Sequence, residues 1–415
     1  MNYFKSIDFP LHLMVYWWLF WIAISYTPFN EFVAPSLVTL IQFLLLLSSF
    51  VIGHAVIKKI RPYHRGFINL PYAHGLRLRE MRVRLIWAIG ALGSLSMLLV
   101  SLKMAGAFET SFVDYFVKLR VNSNELLTVE VTGSRALDVL TKIFAFPLAY
   151  TLLVTALAVE LSGLRNISVI CILSFISFSY LWQINYPLIH LFWLMVFYVL
   201  HIAHKSRRFN WRLLSVLVLI CAILFASAAN RYGGDVLGAL QRYVVGYHLV
   251  GFSFYDYHYR NVDSILHAHS FGRSSLGFLE QILENALEPF SSEFRAASFE
   301  NAEFTNTAID IGSQQAKEFN AFGTIIFTLY RDLNWVGIFI GGFIYGSVTT
   351  LSLYRSHYSW RHGALFFMLA TAWMMGMMVS PLEAAYFWFV IVTLSLLQIV
   401  NRGVRWPSVP QREVT

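Results

Sequence analysis

Apolar residues in this chain run in long blocks rather than in alternating stripes. Ten blocks stand out: 10–27, 34–57, 85–104, 138–160, 167–183, 187–204, 213–229, 335–352, 363–382 and 384–401. Blocks near 20 residues match the helical length that crosses a bilayer. Lipid offers backbone N–H and C=O groups no partners, so each block reads as a helix. The expected architecture is an all-α polytopic membrane protein with about ten transmembrane helices. Residues 1–229 carry the first seven, and 335–415 carry the last three and a tail. Residues 230–334 form one large polar insertion between them. An even number of spans places both termini on one side.

Composition agrees. Hydrophobic residues make up 57% of the chain and charged residues 13%, against about 25% charged in soluble domains. A disordered chain, a disulfide-stapled secreted domain and an ordinary cytosolic enzyme are excluded. Cys171 and Cys221 lie within apolar runs, where a thiol acts as a small hydrophobe. Leu11–Tyr26 has no small-residue cleavage site after it and reads as a retained first span.

The net charge of +8 matters less than its distribution. The N-terminus, 58–84, 161–166, 205–212, 353–362 and the C-terminal tail, with adjoining span ends, hold 19 Lys/Arg and 4 Asp/Glu. The alternate connections hold 12 Lys/Arg and 19 Asp/Glu. Loop 58–84 is the most basic, and topology accounts for it without a nucleic-acid partner. Basic short loops stay in the cytoplasm. Both termini are therefore expected in the cytoplasm of a bacterium, with the chain in its inner membrane and residues 230–334 on the periplasmic side.

Candidate chemistry gathers in the insertion. Arg231, Tyr232 and Asp235 follow the seventh block. If helix continues, Arg231, Asp235 and Arg242 share a face, either as an ion pair with a snorkelling arginine or as an anion clamp. Tyr243–Tyr259 is aromatic and reads as an interfacial helix or belt, or as rings that stack against sugars. Asp263, His267 and His269, followed by Arg273, offer a hydrogen-bonding or basic histidine, whereas a metal site is disfavoured. Ser275–Phe290 predicts an amphipathic helix, with Glu280, Glu284 and Glu288 on a second face, lying over the bundle as a lid or wall. Phe290–Lys317 shows no period and is expected to be irregular. Arg331 and Asp332 stand at a span mouth, where charges pair, face water or act.

The stretch Asn320-x-Phe322-x-Thr324, then Asp332-x-x-x-x-Gly337 and a span reaching Gly346, resembles the C-terminal signature of bacterial oligosaccharide repeat-unit polymerases, the Wzy-type O-antigen and capsule polymerases. Arg231 matches that family's arginine at the start of a large periplasmic loop. Asn334 stands where the family has glycine, and Gly323-Thr324 replaces its Tyr-Thr. The likeness spans residues 215–350 at motif level and the remainder in hydropathy alone.

The resemblance implies a GT-C-like glycosyltransferase without cofactor. Its substrates would be oligosaccharides on undecaprenyl pyrophosphate. The growing chain would pass to the non-reducing end of a new repeat unit, beside membrane lipids, a flippase and a chain-length regulator. Arg231, Arg242, Arg273 and Arg331 would meet the pyrophosphate, with Arg231 and Arg331 as its principal clamp, because a guanidinium binds phosphate oxygens in pairs and keeps its charge. Asp332, His267, His269 and Asp235 would be candidate bases, and Asn320 and Tyr232 substrate contacts. With no Asp-x-Asp motif on the outer side, transfer is expected to need no metal. An O-antigen ligase would use the same arginines. A transporter would carry charge within its spans, which are nearly free of it here.

Overall fold

The computed structural model describes residues 6–60, 146–159, 186–206, 240–287, 294–320 without 314 and 316, 323–356 and 359–401, with a few isolated positions besides. These residues are mostly helical. The helices are α1 (Phe9–Ile24), α2 (Leu37–Ile60), α3 (Phe146–Val159), α4 (Tyr186–Ser206), α5 (Tyr247–Arg260), α6 (Arg273–Leu287), α7 (Ala297–Thr305), α8 (Ile325–Ser356), α9 (Trp360–Met375) and α10 (Ala385–Asn401). A π-helix, Leu240–Gly246, leads into α5, and short 3-10 turns cover Ile265–His267 and Pro381–Glu383. Strands β1 (Ile309–Asp310) and β2 (Glu318–Phe319) form a small antiparallel pair, Ile309 opposite Phe319.

Among the described residues, α2 and α8 are long and apolar enough to cross a bilayer; α1, α3, α4 and α10 contain shorter apolar helices. The expected spans 85–104, 167–183 and 213–229 lie almost wholly outside the described residues.

The α2–α8 pair is the spine. A side chain at Gly346 would place its Cβ 2.1 Å from the Phe50 carbonyl oxygen, and one at Gly53 would sit 2.3 Å from that of Phe343. Glycine at both sites lets the two backbones touch, as small residues do between membrane helices. At the end of this pair, Lys58 Nζ lies 2.5 Å from Asp8 Oδ2, and the Tyr354 hydroxyl donates to Asp8 Oδ1 at 2.8 Å. Those bonds tie the start of α1 to the ends of α2 and α8. Trp18, Phe43, Phe50, Phe252, Tyr255 and Trp373 fill the core between them.

Two segments depart from expectation. The aromatic run is packed inside rather than laid along an interface. Phe252, Phe254 and Tyr255 on α5 are buried, and Phe252 meets the rings of Trp18 and Phe43. Asp256 explains part of this inward position, because it caps α2 from a distance. Its Oδ1 accepts from the Ser36 backbone N–H at 3.0 Å, the Ser36 hydroxyl at 2.5 Å and the Thr39 hydroxyl at 2.7 Å. The stretch expected to be irregular contains α7. Nine residues are too few to hold a helix alone. Here α6 supplies what the sequence of α7 lacks: Glu284 Oε2 accepts the Ala296 N–H at 2.8 Å and Glu280 Oε2 the Ala297 N–H at 2.6 Å. The acids of α6 that were expected to form a separate face therefore turn inward and satisfy the open N-terminus of α7. Glu288 lies outside the described residues.

Candidate functional site

Helix α8 starts ten residues before its predicted span. Thr324 caps it, with Oγ1 accepting the Phe327 N–H at 3.3 Å. The helix runs to Asp332 and then bends at Leu333 and Asn334. Asn334 has φ 57° and ψ −143°, a conformation that glycine adopts most easily. The bend brings the Leu329 carbonyl within 2.1 Å of where a Cβ on Gly337 would stand, which accounts for the motif glycine.

The bend also frees two carbonyls: Ser270 N–H donates to Arg331 O at 2.9 Å and Phe271 N–H to Asp332 O at 3.0 Å. Segment 270–275 then wraps the Asp332 carboxylate. Oδ1 accepts from the Ser270 hydroxyl at 2.5 Å, Gly272 N–H at 3.1 Å and Ser274 N–H at 2.9 Å, and Oδ2 from Ser275 N–H at 3.0 Å. Asp332 is thus the anion at the N-terminus of α6. Adjacent in sequence, Arg331 and Asp332 take different partners.

Arg331 is 3% exposed. Its Nε donates to Ala268 O at 3.3 Å, Nη1 to Ala297 O at 2.8 Å and to Asn301 Oδ1, and Nη2 to Glu300. The expectation of a pyrophosphate clamp at Arg331 is corrected: burial and four internal acceptors commit its guanidinium to joining α8 with α7. The same reasoning corrects Asp332 as a base, since it is 4% exposed and both oxygens are held.

What Arg331 holds in place is the more reactive group. Asn301, oriented through its Oδ1, donates from Nδ2 to Glu383 Oε1 at 2.7 Å, and the Thr328 hydroxyl donates to the same oxygen at 2.6 Å. Among the described residues, Oε2 accepts no hydrogen bond. Burial pushes the Glu383 acid up to about 7, with the Asp332 charge adding to the rise; the two hydrogen bonds and the Arg331 charge oppose it. Gly277 makes the enclosure possible. A Cβ there would lie 2.5 Å from Glu383 Cα, so α6 rests directly on the Pro381–Glu383 turn.

The structure scatters the other expected site residues. His267 and His269 are exposed; His267 Nε2 lies 3.1 Å from the Tyr259 carbonyl oxygen, and His269 meets the Phe271 ring. Asp263 does not join them, and among the described residues no three His, Cys, Asp or Glu side chains gather as a metal-ligand set. Arg273 pairs with Glu280 and donates to Arg295 O at 2.5 Å. Arg242 lies over the Phe319 ring at 5.2 Å. Asn320 donates to Asn306 O at 3.1 Å. Arg231, Tyr232, Asp235 and Phe322 lie outside the described residues.

No family model, curated protein or solved structure matches the chain.

Glu383, Asn301 and Thr328 were missed by sequence reasoning. A signal for Glu383 existed: it is the one Asp, Glu, Lys or Arg between Arg361 and Arg402. One acid in a mainly apolar stretch of 40 residues with no other Asp, Glu, Lys or Arg is a functional candidate by default. Chemically, a carboxyl group with one oxygen fixed, the other accepting nothing from the described residues, and a pKa near neutrality is suited to moving a proton.

Proposed function

We propose that the chain is an inner-membrane glycosyltransferase that extends surface polysaccharide on the periplasmic side from undecaprenyl-pyrophosphate-linked repeat units. Residues 230–334 face the periplasm in this reading, both termini lie in the cytoplasm, and about ten helices cross the bilayer. The single observation that carries the reading is the Glu383 carboxyl at the mouth of α8, with Oε1 held by Asn301 Nδ2 and the Thr328 hydroxyl and its proton affinity raised. Charge asymmetry across the loops, two long apolar helices and the polymerase-like motif support the same reading.

Glu383 is the general base in this reaction. The acceptor hydroxyl oxygen attacks the anomeric carbon of the growing chain. Its proton passes to Glu383 Oε2 as the new glycosidic bond forms. The bond from the anomeric carbon to the diphosphate oxygen breaks, and that oxygen keeps the electron pair and departs on its lipid. Arg331 and Asn301 are positioning residues, because they act by orienting Glu383. Arg231 is the arginine we assign to the departing diphosphate, whose charge it would stabilise.

The test is purified protein reconstituted in vesicles with lipid-linked oligosaccharides on one face and no ion gradient. Longer chains are expected from wild type and none above background from Glu383→Gln. Wild-type extension by a folded Glu383→Gln protein would overturn the assignment. Passage of oligosaccharide across the membrane without lengthening would favour a transporter instead.

A further inference from the structure

Helix α6 and the turn before it form a cap over the Glu383 turn, and the cap sorts its side chains in an inverted way. The acids of α6 turn inward: Glu280 is buried and pairs with Arg273, and Glu284 takes the Ala296 N–H at 2.8 Å. The aliphatic side chains of Leu276, Ile282 and Leu283 are exposed. Just before the helix, Phe271 is 78% exposed and holds φ 53°, a conformation that a bulky L side chain seldom adopts. Two bonds fix it there: its own N–H donates to Asp332 O at 3.0 Å, and Gly272 N–H donates to Asp332 Oδ1 at 3.1 Å. The backbone thus pushes an aromatic ring out of the protein. Clusters of exposed large apolar side chains mark membrane or partner surfaces.

Continuity with the rest of the surface decides what covers this face. Asp332, which anchors Phe271 and Gly272, is followed at once by Leu333 and the bend of α8. Leu333, Val336, Ile340, Ile344 and Val348 are exposed at steps of three or four residues, so they form one stripe down the rod. No Asp, Glu, Lys or Arg stands between Asp332 and Arg355. Among the described residues, α8 is one of the two helices long and apolar enough to cross a bilayer. Its glycines are spent on α2, and the stripe is the side left for lipid. Trp335 stands at the bend, and tryptophan favours the membrane–water interface. Further along α6, Phe278 meets the Phe389 ring near the start of α10, a second apolar helix, at 5.6 Å. The cap therefore runs from the mouth of α8 to the mouth of α10.

We infer that the outer edge of the cap, Phe271 with Leu276, Ile282 and Leu283, is a lipid-binding surface that sits in the outer leaflet between headgroups and acyl chains. The inference rests on the reading that the chain crosses a bilayer with residues 230–334 on its outer side. The apolar face of an interfacial helix sinks roughly 5–10 Å into that boundary. The attraction is apolar, because Glu280 and Glu284 are turned away and satisfied inside the protein. The inward side of α6 carries Gly277, which rests on Glu383. A single helix, about 10–12 Å across, then separates the acid from lipid. That places Glu383 at the depth of the headgroups rather than out in bulk water.

Site-directed spin labelling of the full-length chain tests this, in phosphatidylcholine vesicles and on a Cys171→Ser, Cys221→Ser background. Nitroxides are placed at Phe271→Cys, Leu276→Cys and Leu283→Cys. Ile344→Cys on the rod serves as the lipid reference, and Glu303→Cys, exposed on α7, as the water reference. Oxygen concentrates among acyl chains and a neutral nickel chelate in water, so their collision rates with the label report its surroundings. Oxygen should exceed nickel at the cap positions as it does at Ile344, with the reverse at Glu303. All three cap positions are exposed, so a variant that fails to fold leaves the others to decide. Nickel exceeding oxygen at the cap while Ile344 reads lipid would overturn the insertion and leave the membrane reading standing. Low access to both reagents would overturn it as well, since protein would then cover the face; spectral broadening at higher protein density would identify that cover as a second copy. Nickel exceeding oxygen at Ile344 would remove the bilayer reading itself, and the insertion with it.

Discussion

Around Glu383 the charged side chains Arg331 and Asp332 are sunk in protein and held mainly by hydroxyls, amides and backbone groups; around Arg242 they lie open and lean on one another. In the first region, proximity in sequence misleads, since Arg331 and Asp332 part company. In the second, Glu31 and Lys317 lie 286 residues apart and still pair. Water decides the difference. Where it is excluded, a charge must be matched by hydrogen bonds, and any shortfall appears as a shifted proton affinity. Where water enters, charges are cheap to keep and lean on one another.

The contrast is broken most directly at its chemical end. Glu383→Gln keeps the shape of the side chain and removes the proton acceptor, and chain extension in vesicles should fall by about 10²–10⁴-fold. A fall under tenfold would place the base elsewhere. Next in size is Arg331→Ala, which strands the Glu300 carboxylate and three further acceptors. Chemical denaturation in detergent should report a loss of about 3–5 kcal/mol, with little rescue by lysine, because one ammonium cannot reach four acceptors.

A third change tests the enclosure itself. Gly277→Ala forces α6 off the Glu383 turn, at a cost of about 1–3 kcal/mol. Wild-type extension should rise with pH through about 7 as the base ionises. Admitting water would move that midpoint downward in the variant. Stability carries the opposite sign. Between the ordinary value of 4.5 and about 7 the fold holds the Glu383 proton more tightly than the unfolded chain does, so this group's contribution falls as pH rises across that window. A Gly277→Ala profile matching wild type would mean that burial is not what raises the acid. The smallest effect belongs to the open cluster: Lys317→Ala should cost under about 1 kcal/mol by the same denaturation assay.

Much of the helical layout was readable beforehand. Blocks 34–57, 187–204 and 384–401 reappear as α2, α4 and α10 with ends moved by no more than three residues. Sustained apolar runs leave the backbone little alternative to helix. The site was far less legible, and for identifiable reasons. The early start of α8 was hidden because Ile325–Tyr330 is a short apolar stretch followed by two charges. Helix α7 was hidden because its N-terminal acceptors belong to α6. Glu383 was read as a bare connection, although its isolation among apolar residues marked it. Its raised proton affinity comes from Gly277 and the α6–α8 packing, which no local pattern encodes.

The bend at Leu333 and Asn334 gives α8 two allegiances. Beyond it, the long rod lies against α2 through Gly346 and Gly53; before it, the eight-residue stub from Ile325 to Asp332 is bound into the cradle of α6 and α7. A wrist sits between forearm and hand. Rocking of that cap would carry Thr328, and with it one tether of the acid, while leaving the rod anchored to α2.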